Sequence, residues 1–435
     1  MEAPVSPLPA PEAAAGPDRL WNRGFFLLWL GQTISQLGSP AFSIGAMLWM
    51  KEATGSASLM GLLMAASAVP ALLLSPFGGT FADRHSRVRI MIWTDLLSGL
   101  VITSFAAFIW LRPHDTALGI PLLFVAAAVV GVVRAFFMPA VGALIPDLVP
   151  KEKLTAANSL NQLSIQGSLF SGQALGGILF KAFGAALLFC IDGVSYLIAA
   201  VFTLFIPRDD RTVRSPEAAA SAEPSSFRHF LGETAEGFRY VWGQKGQRDF
   251  LFAASILNFL AMTGFVLFPF YVERYLGVGK SWPSWYGFLM SGVSVGMVVG
   301  FVGAGALRLT GQTRARGVLT ALLLYPVFFG ALALLRQPVL ALIAVVLGGM
   351  TTGFINVYLV TLAQASTPDA LRGRVMAFLG ILTGGLMPIG MALGGIAGDL
   401  TDKNAPLVIG VCSILALLDV LLLGFRRACR EYLAS

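Results

Sequence analysis

The chain has 435 residues, 56% of them hydrophobic and 12% charged, with a formal net charge of +7. Soluble domains carry about 25% charged residues, so these figures exclude a water-soluble enzyme built on globular cores. They also exclude disorder as the main state, because disorder needs low hydrophobicity.

Apolar runs of about 20 residues are long enough to cross a bilayer. In chain order, twelve are expected: 24–50, 58–82, 88–111, 118–145, 156–180, 184–206, 251–276, 284–308, 315–335, 338–363, 373–398 and 405–425. Several exceed 25 residues, and Pro40, Pro70, Pro76, Pro139, Pro269, Pro326 and Pro388 supply kinks or breaks. Residues 1–23, rich in Ala and Pro, lack the basic and apolar regions of a signal peptide and read as a disordered tail. Between the sixth and seventh spans, residues 207–250 form a polar linker. It ends in an amphipathic helix from Phe227 to Trp242, expected on the membrane surface. The linker divides a six-helix unit over 24–206 from another over 251–425, with a short tail at 426–435.

Lysine and arginine set the orientation. With both termini cytoplasmic, 22 of the 30 basic residues fall in inside loops and tails, 7 fall outside, and Arg134 lies within a span. The positive charge is thus spent on topology, and no nucleic-acid partner is expected. Cys190, Cys412 and Cys429 have no metal-binding or disulfide spacing, and no phosphate-binding loop or catalytic constellation is present, so neither a cofactor nor enzyme activity is expected.

The two halves repeat. Gly172-Gln173-Ala174-Leu175-Gly176-Gly177 matches Gly390-Met391-Ala392-Leu393-Gly394-Gly395 at an offset of 218. Gly61-Leu62-Leu63-Met64 matches Gly287-Phe288-Leu289-Met290 at 226, and Pro146-Asp147 matches Pro368-Asp369 at 222. Parallel six-helix repeats point to a secondary transporter with its site at the repeat interface.

The sharpest local pattern is Gly78-Gly79-Thr80-Phe81-Ala82-Asp83-Arg84-His85-Ser86-Arg87 in the loop after the second span. Here the chain resembles the major facilitator superfamily, whose loop reads G-x-L-a-D-r-x-G-r-r. Gly79, Asp83, Arg84 and Arg87 match, while Phe81 and Ser86 depart from it. Gly79 would permit close helix packing, Asp83 would cap a neighbouring helix, and Arg87 would pair with Asp147 as a latch that breaks between access states. The resemblance implies an all-α membrane fold of twelve transmembrane helices in two pseudo-symmetric bundles. Its expected setting is the bacterial cytoplasmic (inner) membrane, as a monomer among membrane lipids.

Arg134, in the fourth span, resembles the arginine that drug–proton antiporters of the superfamily carry there; its repeat mate is Asn356. A buried arginine is costly unless paired or wet. Asp95 lies at comparable depth in the third span, and an Asp95–Arg134 pair would serve proton coupling or a static ion pair. Asp192 and Asp419 read as packing hydrogen bonds. The glycines Gly172, Gly176 and Gly177 resemble the superfamily's antiporter motif, with Gln173 where proline is expected, and with Gly390, Gly394 and Gly395 they would bring helices close. Further stretches, including Asp192-Gly193-Val194-Ser195-Tyr196 and Leu371-Arg372-Gly373-Arg374-Val375-Met376, resemble the bacterial exporter branch of macrolide efflux proteins and the enterobactin exporter.

In such a fold the central cavity would draw on Gln32, Gln36, Arg134, Phe137, Asn161, Asn258, Phe265, Asn356, Tyr358 and Gln364. That mix suits an amphipathic small molecule, such as a macrolide-like drug or a siderophore, exported against protons. A lysophospholipid flippase and a non-transporting receptor or scaffold are the alternatives.

Overall fold

The computed structural model describes residues 19–206, 227–307 and 309–434. Residues 1–18 of the expected tail and the polar linker stretch 207–226 lie outside them. The helices are α1 (Arg23–Thr54), α2 (Ala57–Arg84), α3 (Arg87–Leu111), α4 (Thr116–Leu148), α5 (Leu154–Phe183), α6 (Ala185–Leu204), α7 (Phe227–Gly243), α8 (Lys245–Phe265) and α9 (Phe268–Tyr275). They continue with α10 (Trp282–Leu307), α11 (Gly311–Ala331), α12 (Pro338–Ala365), α13 (Asp369–Leu400), α14 (Ala405–Phe425) and α15 (Arg427–Ala434). No strand occurs among the described residues, as expected of a chain whose backbone polar groups must be satisfied within lipid.

Twelve of these helices have twenty residues or more. Eight are long and apolar enough to cross a membrane, and α8 with α9 makes a ninth span, bent by 46°. The bend falls just before Pro269, which opens α9. The other prolines named above stay within helices or at a helix start. Helices α1, α5 and α11 are not among them: α1 carries glutamines and serines, α5 glutamines, asparagines and serines, and α11 carries Arg314 and Arg316 near its start.

The halves are built alike. In the first, α1 packs on α5 and α6, α2 on α4, and α3 on α4 and α6. In the second, α8 packs on α13 and α14, α10 on α12, and α11 on α12 and α14. Close crossings fall at repeat-related glycines. A Cβ on Gly131 would meet the Ser67 carbonyl at 2.2 Å, and one on Gly353 the Met297 carbonyl at 2.2 Å. Gly172 presses on Leu37 and Gly390 on Phe259; Gly176 presses on Ala41 and Gly394 on Thr263. These are the small-residue contacts that let transmembrane helices approach.

The halves meet where α2 packs on α13 and α5 on α10. This interface is self-complementary in the manner of a twofold axis. Gly61 faces the Met391 carbonyl while Gly287 faces that of Gln173; Gly177 faces Pro283 while Gly395 faces Ala57. All four contacts obey the offsets of 218 and 226 read in the sequence.

The amphipathic helix α7 packs on α13. Gly237 meets the Arg374 backbone, Glu236 pairs with Arg374 at 2.6 Å, and the Tyr240 hydroxyl donates to the Ser366 carbonyl at 2.9 Å. One expectation is corrected: the close α2–α4 crossing belongs to Gly78, where a Cβ would sit 1.9 Å from the Ala135 carbonyl; beside Gly79 there is open space.

A cavity in the second half, between a closed face and an open one

On the face opposite the termini the halves are bolted together. Lys51, at the end of α1 and buried, pairs with Glu273 of α9 at 2.6 Å. Its ammonium also sits over the Trp282 ring at 3.9 Å, a cation–π contact. Lys51 and Glu273 are 222 residues apart, the repeat offset, so one pseudo-equivalent position carries each charge. Nearby, Asp399 accepts from the Ser56 hydroxyl at 2.9 Å, the Ala57 amide at 3.0 Å and the Ser58 amide at 2.9 Å. A carboxylate from the second half thereby caps the N-terminus of α2, satisfying orphan donors and the helix dipole. Its repeat mate Lys181 reaches the Ser281 hydroxyl before α10 at 3.0 Å. Ser294 donates to the Gln173 side chain at 2.9 Å and Ser291 to the Phe170 carbonyl at 2.8 Å, so Gln173 ties α5 to α10 across the halves.

Toward the termini the same surfaces part. Asn158, Ser159, Gln162 and Leu163 on α5 are exposed. Cβ atoms on Gly142, Gly167, Gly380 and Gly384 would meet nothing within 4 Å. On this face Arg87 forms the ion pair with Asp147 that the loop motif suggested, and also donates to the Ala143 carbonyl at 2.8 Å. The pair joins α3 to α4 within the first half. Arg84 is exposed, and the side chain of Asp83 lies outside the described residues.

Inside the second half lies a cavity of about 420 Å³, within the usual range for small-molecule sites, roughly 300–1,000 Å³. Asn258, Phe265 and Asn356 line it, as do Met262 and Met387. Sequence reasoning missed the contribution of α11 and α14 through Tyr325, Phe329, Cys412 and Ser413. The lining is mainly apolar and aromatic, with a few amide and hydroxyl groups. Tyr358 and Gln364 do not line it. Tyr358 is buried with its hydroxyl 3.5 Å from the Ala304 carbonyl, and Gln364 is exposed.

The first half presents a different surface. Arg134 is exposed and has no ion-pair partner among the described residues, so the Asp95–Arg134 pair does not form. Phe137 and Asn161 are half-buried. Gln32 is buried with its Nε2 unpartnered, and the Gln36 Oε1 is likewise without a partner. Asp95 is 1% exposed, and neither carboxyl oxygen has a hydrogen-bond partner among the described residues; the Ser98 hydroxyl is also alone. Asp192, by contrast, accepts from the Ser39 hydroxyl at 3.4 Å, and that hydroxyl lies 2.9 Å from the Tyr196 hydroxyl, the expected packing role. Asp419 departs from that expectation: its Oδ2 is buried without a partner.

The family model described as Major Facilitator Superfamily matches residues 28–391. Macrolide efflux protein A of Streptococcus pyogenes is 24% identical over 391 residues, covering 88% of this chain and 91% of that protein. Multidrug efflux pump Tap of Mycolicibacterium fortuitum is 26% identical over 412 residues, covering 93% and 95%. Among solved structures, a nucleoside transporter superposes with a TM-score of 0.72 at 13% identity, over 93% of this chain and 100% of that one. At that identity the likeness concerns the fold.

Proposed function

The chain belongs to the Major Facilitator Superfamily, and from that premise we propose that it is a proton-coupled exporter of amphipathic organic molecules working by alternating access. The observation that carries the cargo class is the uneven cavity: an apolar, aromatic pocket in the second half, and the unpaired Arg134 in the first. Asn356 lines that pocket, and Arg134 is its repeat mate, so pseudo-symmetry turns both toward the middle of the molecule. The pocket takes the lipophilic body of the cargo. Arg134 takes an acidic or strongly polar group, which favours neutral, zwitterionic or anionic molecules over cations.

Both termini face the cytoplasm in this reading, so the cavity loads from the cytoplasmic side. Release requires the Lys51–Glu273 and Asp399 contacts to break while the cytoplasmic ends close. Asp95 is the proton site in this reading: a buried carboxyl of the first half with no hydrogen-bond partner among the described residues, which a rearrangement of the bundle would bring to water or to a cation. The relatives' names, a macrolide efflux protein and a multidrug efflux pump, support export as the direction.

Inside-out vesicles test the cargo reading with a radiolabelled macrolide and a radiolabelled lysophospholipid as probes. Accumulation of the macrolide, lost in Ala261→Trp, which fills the pocket, supports it. Transport of the lysophospholipid alone would make the chain a flippase. The pocket-filled variant should lose at least about tenfold in transport at low substrate, equivalent to roughly 1.4 kcal/mol of lost contact.

A further inference from the structure

A second cavity, of about 370 Å³, opens at the termini face of the second half, where the start of α8 meets the end of α14 beside Trp242 of α7. It is separate from the cargo cavity, and its walls carry four charges: Arg248, Asp249, Asp419 and Arg426. Asp249 is nearly buried, and one of its oxygens receives Arg426 at 2.9 Å and Arg248 at 3.2 Å. Two guanidiniums therefore share one carboxylate. Each has five donors, so both keep donors to spare, and this group of three carries a net +1. On the other wall stands Asp419, whose Oδ2 is buried with no hydrogen-bond partner among the described residues. The rim is lipid-facing: Leu422 is 66% exposed and Trp242 52%. Arg248 stacks over the Trp242 ring at 5.3 Å. A tryptophan beside arginines at span ends is the arrangement found at the level of lipid headgroups.

We propose that this cavity binds the headgroup of a phospholipid that carries both a phosphate and a primary ammonium, of the phosphatidylethanolamine type. The phosphate takes the spare donors of Arg426 and Arg248, and the ammonium donates to Asp419. Charge complementarity selects this occupant. An anionic lipid such as phosphatidylglycerol meets the arginines but brings no ammonium donor to the unpartnered Asp419 Oδ2. A choline headgroup brings a cation that cannot donate a hydrogen bond, so the buried oxygen stays unsatisfied. The acyl chains run over the exposed leucines of α14. The site lies at the junction of α7, α8 and α14, and the lipid would brace the linker helix against the second half.

The test uses the full chain, purified and exchanged into nanodiscs containing equal amounts of ethanolamine, choline and glycerol phospholipids of identical acyl chains. Tightly held lipids are counted by native mass spectrometry. The wild-type chain is expected to retain the ethanolamine lipid over the choline lipid by roughly tenfold or more, the worth of one charge-assisted hydrogen bond. Asp419→Asn should remove that preference while lipid is still retained, and Asp419→Glu should keep it. Arg426→Gln should lower retention of all three. Equal retention of ethanolamine and choline lipids by the wild type overturns the proposal, as does an unchanged preference in Asp419→Asn. Should Asp419→Asn fail to fold, the wild type and Asp419→Glu decide by the same count. The measurement involves no transport, so it stands apart from the exporter reading.

Discussion

At the scale of single residues, the contacts that close one face and the groups left unpaired inside it are separate devices. Glu273→Gln removes the charge that Lys51 meets. A hydrogen bond to a charged group is worth about 1.5–3 kcal/mol, so the closed arrangement should lose ground by roughly tenfold to a hundredfold. Spin labels at the exposed His114 and Lys280, in a chain lacking Cys190, would report this as a longer distance between the halves. Cys429 needs no replacement, since burial pushes its thiol up to about 12, which keeps it out of the thiolate form. An unchanged distance distribution would mean that the pair is decoration. Asp95→Asn should leave folding intact, because the side chain has no partner to lose, and should abolish the pH dependence of transport; a preserved pH profile would clear Asp95 of that role. The Lys51–Glu273 pair was open to sequence reading. Opposite charges stand one repeat offset apart at equivalent helix ends, yet counted among loop charges they look like topology signals alone.

At the scale of elements, the glycine patterns carried the most structural information. The matches at offsets of 218 and 226 reappear as mirrored backbone contacts at the α2–α13 and α5–α10 crossings. Pattern matching to the superfamily loop picked the neighbouring glycine, because the motif fixes a segment and not which side of the helix meets α4. Gly78→Leu should therefore destabilise the protein by about 1–3 kcal/mol, as overpacking does, while Gly79→Leu should be nearly neutral by thermal melting of the purified protein. Equal losses at the two positions would remove the assignment. The cargo cavity was half legible. Asn258, Phe265 and Asn356 stand out as polar or aromatic residues in central helices, whereas Tyr325, Cys412 and Ser413 sit in helices that read as peripheral. Their part depends on a gap between helices, which periodicity does not encode. The linker helix shows its apolar stripe in sequence, but a stripe suits a bilayer and α13 equally well.

At the scale of the whole molecule, charge is scarce and its placement divides the work. Almost all basic residues lie in loops and at helix ends, where they supply ion pairs such as Arg87–Asp147 within the first half and Lys51–Glu273 between the halves. Arg134, exposed and without an ion-pair partner among the described residues, is the cation that the proposed reading sets against the apolar cavity of the second half. The pseudo-twofold interface, closed at one end and parted at the other, can exchange its ends by rocking the halves about the glycine crossings. The most direct test is uptake of a radiolabelled macrolide into inside-out vesicles energised by a proton gradient. The account predicts accumulation that collapses when an uncoupler is added and that is lost in Ala261→Trp and in Arg134→Gln. Accumulation that survives the uncoupler, or that is indifferent to both substitutions, would contradict it.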